Sequence, residues 1–230
     1  MKLKLIEKKP EVLDVTSFIF EPSEPLAWKA GQYLHYVLHH RPTDDRGSDR
    51  FFTNSAAPFE NHIKITTRIT TEKGSSFKAT LAALEIGKKI EITDVKGDGH
   101  FTLDDPTQES VFIAGGIGIT PFRAILKQLE HDHQPLNITL LYSNRDQNIV
   151  FKDELEAMAK NNPTFKINYI FSPEHIDEAK IRELVSDLQK PVFYISGPEP
   201  MVDALGETLK KMGIAEDHLK QDWFPGYPAE

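Results

Sequence analysis

Hydrophobic and polar positions follow two different rhythms along this 230-residue chain. In the first half, short apolar runs alternate with turn residues, at 12–20, 32–38, 62–67 and 89–93. Runs of this length, rich in β-branched and aromatic side chains, predict strands, and several at this spacing predict an antiparallel barrel or sandwich. One helix breaks the series at 76–84, with Gly74-Ser75-Ser76 as its start signal and Gly87 after its end. The polar stretch 41–49 reads as a mobile connecting loop.

Past 104–109 the pattern changes. Apolar runs at 111–114, 138–142, 165–171 and 192–195 alternate with helical patterns at 121–131, 151–161, 177–188 and 198–212. Strand then helix, repeated, predicts a parallel sheet with crossover helices. The expected organisation is two domains: an antiparallel β-barrel domain at 1–106, followed by an α/β parallel-sheet nucleotide-binding domain at 107–230.

Composition narrows the chemistry. The absence of cysteine excludes disulfides, thiolate zinc sites, cysteine-held iron–sulfur clusters and cysteine nucleophiles together. Redox chemistry here therefore needs a non-covalent organic cofactor. Of the net charge of −8, all but one unit is carried by residues 107–230, with 12 basic and 19 acidic side chains, whereas residues 1–106 carry 15 and 16. That balance argues against nucleic acid as a partner. No uncharged stretch reaches the ~18 residues of a membrane span and no signal-peptide core opens the chain, so a cytoplasmic protein, or a soluble part of something larger, is expected. The histidines lack metal-ligand spacing, and no metal is expected.

Ala114-Gly115-Gly116-Ile117-Gly118-Ile119-Thr120-Pro121 follows a buried strand and opens a helix. Glycines let the backbone turn sharply and approach a ligand, Pro121 suits a first helical turn, and exposed amides with the helix dipole favour a diphosphate. Two other strand ends carry Tyr142-Ser143-Asn144-Arg145 and Ser196-Gly197-Pro198-Glu199-Pro200-Met201. Ligands of open parallel sheets sit beyond the carboxyl ends of strands, which places the three segments around one crevice. Singly, each also reads as an ordinary turn.

In the first half, Arg50-Phe51-Phe52-Thr53-Asn54 sets a cation, aromatics and a hydroxyl on one strand. Arg50 and Phe52 share a face, so a planar fork for a phosphate stands beside a cover for a flat ring. Lys73-Gly74-Ser75-Ser76 offers a second helix amino end suited to a phosphate. The plainer readings are Phe51 or Phe52 in a core, Arg50 in a surface pair, and Ser75 or Ser76 as a helix cap.

Taken in order, Arg50-Phe51-Phe52-Thr53, Gly74-Ser75-Ser76, Gly115-Gly116-Ile117-Gly118-Ile119-Thr120-Pro121, Ser196-Gly197-Pro198 and Phe224 resemble the ferredoxin–NADP reductase superfamily over essentially the whole chain. The resemblance implies a barrel holding FAD and a second domain binding NADPH or NADH. It implies Arg50 on the FAD diphosphate, Phe52 on the isoalloxazine and Thr53 near the reactive flavin nitrogen, with Phe51, Asn54 and Thr67 also at the cofactor. Lys73, Gly74, Ser75 and Ser76 would hold the diphosphate. Gly115, Gly116, Gly118, Thr120 and Pro121 would cradle the nicotinamide nucleotide, joined by Ser143, Asn144 and Arg145, with Ser143 and Arg145 at a 2′-phosphate. Ser196, Gly197, Pro198 and Met201 would shape the nicotinamide pocket, and Phe224 would approach the flavin. Thr53, Ser196 and Phe224 are thus the catalytic candidates. Phe52 stands where relatives usually have Tyr, and Ser196 where they often have Cys. Asp222 falls near a family acidic residue with a proton role and stays outside the main set.

The implied activity is that of an FAD-dependent oxidoreductase taking hydride from NAD(P)H and passing electrons to a separate acceptor such as ferredoxin or flavodoxin. Two other readings stand beside it: a reductase of free flavin, quinone or ferric chelate, and a nucleotide-binding module without flavin. For an acidic acceptor, Lys64, Arg68, Lys73, Lys88 and Lys89 would supply a basic face.

Overall fold

The computed structural model describes residues 1–70, 74–96 and 101–224. Strands β1 (Lys2–Val12), β2 (Val15–Pro22), β3 (Tyr33–Val37), β4 (Asp49–Thr53), β5 (Ile63–Arg68) and β6 (Lys89–Lys96) form one antiparallel sheet, in the order β4-β3-β6-β1-β2-β5. Its inward side chains, among them Leu3, Phe18, Leu34 and Ile63, pack on Phe77 and Leu81 of helix α1 (Ser76–Ala83). Burial of these two side chains, worth roughly 2 kcal/mol each, seats α1 on the sheet. The apolar pattern does not reveal β1, because only Leu3 and Leu5 of its residues are buried while Glu7 and Lys9 face solvent. The 12–20 run is divided in two: Leu13, at φ 21°, and Asp14 turn the chain between β1 and β2.

The second sheet is parallel throughout. It contains β7 (Ser110–Gly115), β8 (Ile138–Asn144), β9 (Lys166–Phe171), β10 (Val192–Pro198) and β11 (Leu219–Phe224), in the order β11-β10-β7-β8-β9. The intervening helices are α2 (Ile119–His131), α3 (Lys152–Asn161), α4 (Glu178–Leu184) and α5 (Glu199–Lys211). Central β7 is buried at every position, with Phe112 and Ala114 facing one core and Val111 and Ile113 the other. This explains why it reads as a continuous apolar run. The 177–188 pattern is helical only to Leu184, after which Val185 turns extended and buries its side chain. Strand order reverses between β7 and β10, which creates a crevice at their carboxyl ends.

Two kinds of contact join the sheets. Val15 and Phe101 enter the core of the second sheet, where Phe101 packs against Phe122 and Tyr194. Alongside, buried Arg123 of α2 donates to Glu60 Oε2 at 2.6 Å and Oε1 at 3.0 Å. Glu60 ends a short 3-10 turn, Pro58–Glu60, and its carboxylate also accepts from the Ala57 amide at 2.7 Å. Burial alone would raise the Glu60 carboxyl, but hydrogen bonding and charge from Arg123 outweigh it and bring the pKa down to about 2. Lys64, buried 3.9 Å from Glu60, is shifted downward by burial and by the Arg123 charge.

A carboxyl whose folded pKa lies below its unfolded value stabilises the fold at higher pH and loses that contribution as pH falls. Glu60→Gln should therefore cost roughly 3 kcal/mol of unfolding free energy at neutral pH. The deficit relative to the parent protein should shrink between pH 4.5 and about 2, as measured by urea unfolding across that range; a constant deficit would contradict the coupling to Arg123.

Candidate functional site

The predicted glycine turn lies where strand order reverses. Gly115 ends β7, Ser143 of β8 lies beside it in register, and Ala114 lies beside Ser196 of β10. Gly116 has φ +51°, the left-handed conformation that favours glycine. Gly118 abuts the Ser196 carbonyl so closely that a Cβ would collide with it, and Met201 fills the space against Gly115 and Gly197. The turn also contacts β5, so it stands between the two sheets. Thr120 is buried and its hydroxyl donates to the Ile117 carbonyl at 3.1 Å, which closes the turn. Pro121 is buried in the first turn of α2. Ser143 and Asn144 are partly buried at the end of β8, and Arg145 is exposed just beyond.

On the other sheet, β4 places Arg50 and Phe52 on one face. The Arg50 guanidinium carbon lies 5.6 Å from the Phe77 ring centroid and the Phe52 ring 5.8 Å from the same ring. Arg50 Nη1 donates to the carbonyls of Arg46 and Asp49, while Nη2 lies 3.6 Å from Asp44 Oδ1. Phe51 is on the opposite face, 54% exposed and stacked on His35 at 4.4 Å, so its ring does not join Arg50 and Phe52. Buried Thr67 stands opposite Thr16 in the β2–β5 register. Asn54 is fully buried, its Oδ1 accepting from the amides of Ala56 at 3.1 Å and Lys64 at 2.9 Å.

At the amino end of α1, Ser75 caps the helix by accepting from the Lys78 amide at 3.2 Å. The Ser76 amide donates to Asp44 Oδ2 at 2.8 Å, and the Ser76 hydroxyl meets His40 Nε2 at 2.9 Å. The 41–49 stretch is therefore tied to α1 instead of being a free loop. The backbone bond from Ser76, followed by bonds from Arg46, lowers the Asp44 pKa to about 2. Gly74 passes against the Thr70 carbonyl with no room for a Cβ. Lys73 lies outside the described residues.

Strand β11 completes the crevice: Asp222 stands beside Ser196, Trp223 beside Gly197 and Phe224 beside Pro198. Trp223 is exposed, whereas Phe224 is partly buried. Asp222 is only partly buried as a residue, yet its Oδ2 is shut off from solvent, and burial pushes its pKa up to about 6.

Buried polar atoms in proteins are nearly always paired. Here Arg50 Nη2, Thr53 Oγ1, Asn54 Nδ2, Ser196 Oγ and Asp222 Oδ2 are all removed from solvent without a hydrogen-bond partner. Sequence reasoning picked out the first four of these residues and set Asp222 aside. It missed Asp44, whose position opposite a helix start two strands later has no local signal. It also missed Arg123 and Glu60, which belong to no motif in the sequence.

Residues 112–207 match the family model for the oxidoreductase NAD-binding domain. Over 91% of its length the chain is 26% identical to a flavohemoprotein from Rhodopirellula baltica, and it spans 57% of that relative. The flavohem-like FAD/NAD-binding domain of nitric oxide dioxygenase from Vibrio cholerae superposes with a TM-score of 0.83 at 21% identity, covering 97% of this chain and 98% of that one. A ferredoxin NADP+ reductase from Neisseria gonorrhoeae, solved with bound FAD and NADP, gives 0.78 at 18% identity, covering 97% and 98%. Among the described residues, no helix is long and apolar enough to cross a membrane. With an antiparallel sheet, a parallel sheet and a glycine turn between them in this order, the chain has the two-domain fold of these solved structures, and its residues 112–207 match the oxidoreductase NAD-binding domain.

Proposed function

We propose that this chain binds FAD on the antiparallel sheet and NADH or NADPH at the glycine turn, and passes electrons to a separate acceptor such as ferredoxin or flavodoxin. The observation that carries the reading is the set of unpaired buried polar atoms along the crevice, Thr53 Oγ1 and Ser196 Oγ above all. Such atoms cost about 1–3 kcal/mol each unless a ligand satisfies them, so the residues fit both nucleotides. FAD, once bound, supplies the conversion between two-electron and single-electron transfer.

The chain supplies binding and placement. Arg50 is held by its Nη1 bonds with Nη2 turned toward an anion, and a diphosphate at α1 takes the place that Asp44 holds on the Ser76 amide. Phe52, backed by Phe77 and Tyr36, covers a ring face. Thr53 donates or accepts at the ring edge, and Ser196 does so at the nicotinamide, with Phe224 on the neighbouring strand. Ser143 and Arg145 favour the 2′-phosphate of NADPH. Asp222 holds a proton beside Ser196 below about pH 6. The proposed basic face is reduced: Lys64 is buried, Arg68 pairs with Asp14 at 2.6 Å and Lys88 with Glu85 at 3.9 Å.

After reconstitution with FAD the protein should show an oxidised-flavin spectrum that NADPH or NADH bleaches anaerobically; a protein that stays colourless overturns the reading. Thr53→Ala should keep FAD but slow bleaching roughly tenfold, as loss of one well-placed hydrogen bond does. Asp222 titrates above its unfolded value of 3.8, so the fold is penalised as pH rises from there to about 6. Asp222→Asn should accordingly raise stability by about 3 kcal/mol above that range and leave it unchanged below; urea unfolding at a series of pH values would show an effect of the opposite sign if Asp222 were stabilised as a carboxylate.

A further inference from the structure

Arg123 lies between the two nucleotide sites, and the binding roles above leave it without a task. We propose that Arg123 is a positioning residue, whose guanidinium sets the distance and angle between the flavin-side strand ending at Thr53 and the nicotinamide-side turn at 115–118. The inference rests on the reading of the chain as a flavoprotein reductase.

Four hydrogen bonds and a close ion pair hold this guanidinium. Nε donates to Glu154 Oε2 at 3.0 Å, Nη1 to the Ser55 carbonyl at 2.8 Å and Glu60 Oε2 at 2.6 Å, and Nη2 to Glu60 Oε1 at 3.0 Å with Glu154 Oε2 at 2.8 Å. The side chain is 4% exposed. One end of this clamp is the flavin strand itself, since Ser55 lies two residues beyond Thr53. Ser55 is in turn immobilised: its hydroxyl bonds Lys64 O at 3.1 Å and Thr66 Oγ1 at 2.7 Å, and Thr66 bonds Ser17 at 2.7 Å. The other end is α2, which starts on the turn whose Gly118 is pressed against the Ser196 carbonyl. A rigid path thus runs from Ser196 through Gly118, α2 and Arg123 to Ser55 and Thr53.

Stability alone does not account for this arrangement. A buried ion pair is often no more stabilising than an apolar pair of the same volume, whereas a planar fork with five fixed donors specifies orientation as no lysine or methyl group does. Transfer between two stacked rings needs such control, because displacement by about 1 Å can cost ~10²-fold in rate.

The test compares Arg123→Lys, Glu60→Asp and Glu154→Asp as FAD-loaded proteins. Glu60→Asp shortens the arm that crosses to the flavin strand, while Glu154→Asp makes the same change between α2 and α3. Three quantities are measured: the limiting rate of anaerobic flavin bleaching at saturating nucleotide, the dissociation constants for FAD and nucleotide, and the long-wavelength charge-transfer absorbance of dithionite-reduced protein mixed with NAD+ or NADP+. Arg123→Lys and Glu60→Asp should lower the limiting rate roughly tenfold or more and weaken the charge-transfer band, with both dissociation constants within about threefold of the parent; Glu154→Asp should keep rate and band. If Arg123→Lys does not hold flavin, the milder Glu60→Asp decides alone. Equal losses in the Glu60 and Glu154 variants, rate losses that follow nucleotide affinity, or no loss at all would overturn the proposal. A parent protein that binds FAD and bleaches while all three variants behave like it refutes the positioning role only; a parent that never binds FAD refutes the functional reading beneath it.

Discussion

The structure depends on one buried guanidinium. Arg123 closes the interface between an antiparallel and a parallel sheet through Glu60 on one side and Glu154 on the other, with the Ser55 carbonyl included in the same fork. Its electrostatics are mutually reinforcing: Arg123 holds Glu60 ionised at a pKa near 2 despite burial, and the two carboxylates keep Arg123 charged against the same penalty. Hydrophobic contacts of Phe101 with Phe122 and Tyr194 add area to the interface. They are non-directional, however, and two sheets held only by apolar contact slide more readily than two sheets held by fixed donors and acceptors.

Several of the buried polar atoms without a hydrogen-bond partner lie along the crevice beside that clamp. Thr53, Asn54 and Arg50 come from one strand and its end, Ser196 and Asp222 from two adjacent parallel strands. Burying polar atoms without partners carries a cost that a polar partner offsets. The same zone holds close approaches at glycine, Gly118 on the Ser196 carbonyl and the Met201 side chain on Gly115 and Gly197. Close-packed glycines and buried polar side chains thus share one region of the fold.

Much of this was legible in the sequence wherever the signal is local. Buried β7 reads as a continuous apolar run, the glycine turn announces a sharp backbone reversal before α2, and Ser75 stands as a helix start. β1 was not legible, since its two buried leucines give too short an alternation and most of its residues face solvent. Phe51 looks like a cofactor aromatic, yet strand alternation turns it outward onto His35. Asp44 and Arg123 escaped for a different reason. Each acts on a partner more than thirty residues away, Ser76 for one and Glu60 for the other, and no spacing rule in a sequence encodes such a meeting. The acidity of the second half says little about the site, because the charges that shape it are paired across the interface.

The central proposal is that two rings meet directly across the crevice beside Arg123. Its most direct test is anaerobic bleaching of the FAD-loaded protein by saturating NADPH or NADH carrying deuterium at the transferred C4 position, set against the same nucleotide with protium. Direct transfer between adjacent rings predicts a rate several-fold slower with deuterium and indifferent to deuterated solvent. Equal rates with the two nucleotides, or an isotope effect that appears only in deuterated solvent, would contradict it.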